Sequence, residues 1–137
     1  MRDKPPETRR DLLGHDEETL RQKLVAELEQ LAYDWGGKWG TSRTVFVQLT
    51  PETQLAIEPN EHAWRIIVIN RREENSGAYS KSQVRQVRDL GLEQLLIVAG
   101  ALPGLREAMR QHLAARERKL GPAVDAIIAV RNMRGGM

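Results

Sequence analysis

The sequence predicts an α/β fold of the α+β kind: a mostly antiparallel sheet of four or five strands packed by helices, in the order αβββαβα, with a last element open between helix and strand. Three observations carry this. A helical hydrophobic period runs from Leu20 to Trp35, and it gives way to a period of two in three short runs between Thr44 and Ile69. The third is size: 137 residues, 40% of them hydrophobic and 29% charged, suit one core.

Residues Met1 to Gly14 hold two prolines, mixed charges and only Leu12 and Leu13 as apolar anchors, so they read as an N-terminal arm, with 15–137 as the single domain. From Asp16 onward Leu20, Leu24, Val25, Leu28, Leu31, Ala32 and Trp35 mark one buried helix face. Asp16 is placed to cap that helix, Glu17 and Glu18 suit the positive end of its dipole, and Gly36-Gly37 supply a stop.

After a loop from Gly36 to Ser42, three strands are predicted at 44–49, 54–58 and 64–69. Thr50-Pro51-Glu52 and Pro59-Asn60-Glu61 provide turn chemistry short enough for hairpins. The third run is apolar on both faces and belongs inside the sheet. A polar loop, 71–79, then leads to Ser80-x-x-Gln83, which reads as a capping box opening a helix with Val84, Val87 and Leu90 inward and Gly91 at its end. Leu95 to Gly100 is unbroken apolar sequence that period alone does not assign, and its β-branched residues and terminal Gly favour a strand. Pro103-Gly104 begins a helix with Leu105, Met109, His112, Leu113 and Leu120 as its stripe and Gly121 as its close. Val124 to Met133 fits a helix from Pro122 or a strand at 126–130, with the strand preferred.

The order from Trp64-Arg65-Ile66-Ile67-Val68-Ile69-Asn70 through Ser80-x-x-Gln83 and Leu90-Gly91 to Leu95-Leu96-Ile97-Val98 resembles the second half of restriction-endonuclease-like domains, particularly the Holliday-junction-resolvase branch. With the leading helix, the resemblance spans roughly residues 16 to 100 and is one of pattern. In that family the third strand ends in Glu-x-Lys, which binds the metal and orients water. Val68-Ile69-Asn70 stands there instead, with no Asp paired to it, so the resemblance implies a nuclease-like core without its chemistry.

No other catalytic constellation appears. Cysteine is absent, which removes disulfides, thiolate metal sites and Cys nucleophiles, and no Ser or Thr comes with a matching His and Asp. Glu58, Glu61 and His62 lie close together but lack a distant group to finish a metal shell, and read as a solvated turn. Lys38 is followed by Trp39, not the Ser or Thr of a phosphate-binding loop. The expectation is therefore a protein with no catalytic residues, no metal and no cofactor.

Charge points to binding. The segment 1–70 has 9 basic and 12 acidic residues, net −3, whereas 71–137 has 12 and 7, net +5. Arginine makes up 16 of the 21 basic residues, which suits bidentate contacts to phosphate or carboxylate. Arg71, Arg72, Lys81, Arg85 and Arg88 are candidates for one stripe facing nucleic acid or an acidic partner, and Arg106 with Arg110 could extend it. Trp39, with Lys38 beside it in a glycine-flanked loop, is the candidate protein-interface anchor.

The leading expectation is a small regulator or adaptor that docks on a macromolecular assembly, with a nucleic-acid-binding protein as the alternative. A macromolecular protein partner is expected, nucleic acid and a second copy of the chain remain open, and no membrane is involved. Without a hydrophobic signal or anchor, a cytoplasmic location is expected.

Overall fold

The computed structural model describes residues 7–39, 43–60, 63–70 and 83–136, apart from the side chains at positions 38, 39 and 60. Its elements are α1 (Arg9–Leu13), α2 (Glu17–Trp39), β1 (Val45–Thr50), β2 (Thr53–Asn60), β3 (Ala63–Asn70), β4 (Val84–Gln86), a 3₁₀ turn (Val87–Asp89) and α3 (Leu92–Gly135). The strands form one antiparallel sheet in the order β1-β2-β3-β4. The predicted α+β class holds, as does the interior place of the third strand.

Alternation divides each strand between two faces. Val45, Leu55, Ile57 and Ile66 point into the main core, where they meet Val25, Leu28 and Ala32 of α2 and Leu95, Val98, Leu105 and Met109 of α3. Ala56, Ile67 and Ile69 form a smaller cluster on the opposite face, with Val84 against it. The turn between β1 and β2 is fastened by Thr50, whose Oγ1 accepts from the backbone N–H groups of Glu52 at 3.2 Å and Thr53 at 3.1 Å.

Asp16 caps α2 as predicted, its Oδ1 accepting from Thr19 N–H at 2.8 Å. The helix does not stop at Gly36-Gly37 but continues to Trp39. The reason is packing. A Cβ at Gly36 would lie 2.0 Å from the Trp64 ring, so glycine there lets the helix approach β3. Of the N-terminal arm, residues from Thr8 onward form a capped turn in which Thr8 and Asp11 exchange backbone-to-side-chain bonds. Glu7 ties this arm to α2 by an ion pair with Lys23 at 2.7 Å.

The segment before Gly91 differs from the prediction. No helix runs from 83 to 90; residues 84–86 pair with β3 and residues 87–89 form the 3₁₀ turn. Val87 and Leu90 are nevertheless buried, as predicted. The segment is held by long-range bonds that local sequence does not announce: Arg21 Nη1 donates to the carbonyls of Arg88 at 3.1 Å and Leu90 at 3.2 Å.

The predicted strand at 95–100 and the preferred strand at 126–130 are both helix, so of the two readings of 124–133 the helical one holds. So is the chain between them, because α3 is a single helix of 44 residues through Pro103 and Pro122. It starts neither at Pro103 nor ends at Gly121. Leu95 and Val98 are buried whereas Leu96 and Ile97 are 58% exposed, a helical spacing that continues through Leu105 and Met109. Burial of that stripe outweighs the backbone hydrogen bond that Pro103 removes. Leu120, expected in the core, is exposed.

Candidate docking surface

The predicted basic stripe is only partly within view. Arg71, Arg72 and Lys81 lie outside the described residues. Arg85 is on β4 opposite Val68, and therefore on the helix-bearing face. It lines a cleft of about 330 Å³ with Leu49, Val68, Gln94, Ile97 and Val98, and among the described residues that line it there is no carboxylate. Arg88, three residues on, is committed elsewhere, to an ion pair with Glu29 of α2 at 2.6 Å. That contact holds the guanidinium even more firmly protonated than usual.

Arg106 and Arg110 do not extend the cleft. They border a separate groove between α2 and α3 with Leu31, Trp35, Leu102 and Pro103, and Arg110 pairs with Glu107 at 2.9 Å. From Ile97 to Arg106 the helix rises about 13 Å. Lys38 and Trp39 belong to the last turn of α2, so the glycine-flanked loop expected around them is helical up to that point; their side chains lie outside the described residues.

Glu58 is not part of a solvated turn. It is 9% exposed, on β2 opposite Arg65 of β3, and the two make an ion pair at 2.5 Å. Glu61 and His62 lie outside the described residues. Among the described residues no group of three or more His, Asp or Glu is placed to hold a metal ion, and no helix is long and apolar enough to cross a membrane.

The surface that sequence reading missed is the far half of α3. Up to Leu113 the helix packs on the core; from Ala114 to Gly135, about 33 Å of helix, only Gly121 is less than exposed. This stretch carries Leu120 (39% exposed), Val124 (50%), Ile127 (51%), Ile128 (50%), Val130 (53%) and Met133 (71%). Basic residues lie toward both ends, with Arg116, Arg118 and Lys119 before Leu120 and Arg131 and Arg134 on either side of Met133.

A helix that displays branched aliphatic residues along its free length is shaped for contact, because each such side chain gains roughly 1.5–3 kcal/mol on full burial. The apolar positions were visible in the sequence. Preferring a strand at 126–130 over a helix from Pro122 hid their exposure.

The chain matches no protein-family model, no curated protein and no solved structure.

Proposed function

We propose that this chain is a non-catalytic binding protein, a small regulator or adaptor that docks on a macromolecular assembly, and that the projecting half of α3 is its contact element. The observation that carries this is the run of exposed aliphatic side chains from Leu120 to Met133 on a helix anchored by the buried Leu95, Val98, Leu105 and Met109. The core fixes where the projecting helix starts and its direction. The basic residues at either end favour a partner whose contact surface is rimmed with acid.

The test is in-cell crosslinking of the tagged chain followed by mapping of the linked residues, with the doubly substituted Ile127→Asp, Ile128→Asp protein as control. Crosslinks to a stoichiometric partner that map to 113–134 and vanish in the control are expected. A wild-type chain linked to nothing, or linked equally well after the substitutions, would overturn the reading.

A second reading, binding of nucleic acid, draws on Arg85 in a cleft whose described lining residues include no carboxylate. It requires fluorescence anisotropy of labelled duplex, branched or single-stranded DNA or RNA to rise with protein, to fall steeply with salt, and to weaken in Arg85→Ala. Arg88→Ala is the less informative variant because Arg88 is already paired with Glu29.

A further inference from the structure

We infer that the first occupant of the projecting helix is a second copy of the same helix, in antiparallel orientation and in one register. The inference rests on the reading of α3 as a contact element and adds the identity of what it touches.

The spacing comes first. Leu113, Glu117, Leu120, Val124, Ile127, Arg131 and Arg134 follow one another at alternating steps of four and three, which places them along one seam of α3. Gly121 and Ile128 flank the seam on one side, and Ala123 and Val130 on the other. The remaining positions, among them Arg118, Lys119, Pro122, Asp125 and Asn132, face away from it. Between 120 and 130 every seam and flank position is apolar and Pro122 and Asp125 lie on the back, whereas Glu117, Arg131 and Arg134 place charge at the two ends of the seam.

The seam's charged positions decide orientation. In a parallel pair each seam residue meets its own copy, so Glu117 faces Glu117, Arg131 faces Arg131 and Arg134 faces Arg134. Those are three like-charge layers. In the antiparallel pair whose central layers join Val124 to Ile127, Leu120 lies under the aliphatic stem of Arg131 and Glu117 meets Arg134, each contact occurring twice by symmetry. Moving this pair by one heptad sets Glu117 against Ile127 and leaves both its carboxylate and Arg134 without a mate. One register therefore satisfies both charge and burial.

The flanks agree independently. In the same register Gly121 comes opposite Ile128 and Ala123 opposite Val130, small facing large on both sides of the seam, as interdigitating helices require. Arg118 and Lys119 stay outside and remain available to an acidic assembly. The contact from 117 to 134 is about 27 Å long, near the lower size limit of specific interfaces at roughly 1,000 Å². A dimer in exchange with monomer is the expected behaviour.

The test is sedimentation of the full-length chain over a concentration range reaching about 1 mM, well above the micromolar regime. Wild type is expected to shift from monomer to dimer, and Ile127→Asp to stay monomeric with an unchanged thermal transition. Glu117→Arg and Arg134→Glu should each weaken association about tenfold, and the double exchange should restore it.

Orientation is read separately, since the chain has no native cysteine. Glu117→Cys protein mixed with Arg134→Cys protein should form the mixed disulfide in preference to either self-disulfide. A wild type that stays monomeric over the whole range, a dimer indifferent to Ile127→Asp, or preferred self-disulfides would each overturn the inference. A monomeric chain that still crosslinks to a partner through 113–134 would remove the dimer and leave the docking function standing; loss of both would remove both.

Discussion

At Gly36 the α2 backbone lies against the Trp64 ring, and any Cβ must displace one of them. Gly36→Ala should cost about 1–3 kcal/mol in denaturant unfolding despite alanine's better helix propensity, because overpacking exceeds the propensity gain. A glycine acting merely as a helix stop would lose far less. Asp16 supplies a prediction of another sort. Hydrogen bonds from the Thr19 side chain and backbone N–H hold its carboxyl below the ordinary aspartate value, and bonds from Lys23 and His15 do the same for Glu7. A lowered folded pKa means stability that is present above the ordinary carboxylate range and lost as pH falls through the folded value. Unfolding followed between about pH 6 and pH 2 should show that loss, spanning the carboxylate range. It should be shallower in Asp16→Asn, which keeps a cap oxygen but does not titrate.

Elements differ in how much of them local sequence determines. α2 was readable because one face of its period stays apolar over about four turns, from Leu20 to Trp35, and its cap is local. The β1-β2-β3 meander was readable because alternation and turn residues coincide. The 84–90 segment was not, since what fixes it is Arg21 reaching its carbonyls from a residue more than sixty positions away. α3 was broken into pieces on reading because Gly100, Pro103, Gly104, Gly121 and Pro122 each signal a boundary locally. Only the joint spacing of Leu95, Val98, Leu105 and Met109 reveals one helix, and that stripe is held by contacts with β1 and α2. Leu95→Ala or Met109→Ala should accordingly destabilise the domain by about 2–5 kcal/mol, measured by chemical unfolding. Pro122 interrupts the ladder in the exposed half, where no packing against the described residues compensates. Pro122→Ala should slow amide exchange across 123–134 about tenfold or more, as an interior proline costs roughly 3 kcal/mol.

Taken together, the molecule is a sheet-and-helix body that ends energetically near Leu113 and a projecting helix that, among the described residues, adds none to the core. A chain ending at Ala115 should keep the body's thermal transition within about 2 °C of the intact protein, a shift that corresponds to under half a kcal/mol for a domain of this size. A lower transition would show that the free half of α3 packs on the body after all. The candidate site was legible in the sequence only as composition. Apolar residues and basic residues were both in place, but whether a given leucine is core or surface depends on where the last contact with the sheet falls, and that is a property of the whole chain.

Continuity between body and projecting helix also bears on kinetics. The first turn of an isolated helix is its costly step, and here that turn is already formed inside the folded domain, so the free half elongates from an existing end. The helix is therefore presented to a partner with most of its backbone ordering completed before encounter. Its association should proceed at rates set by collision and orientation, with no folding phase appearing in the time course.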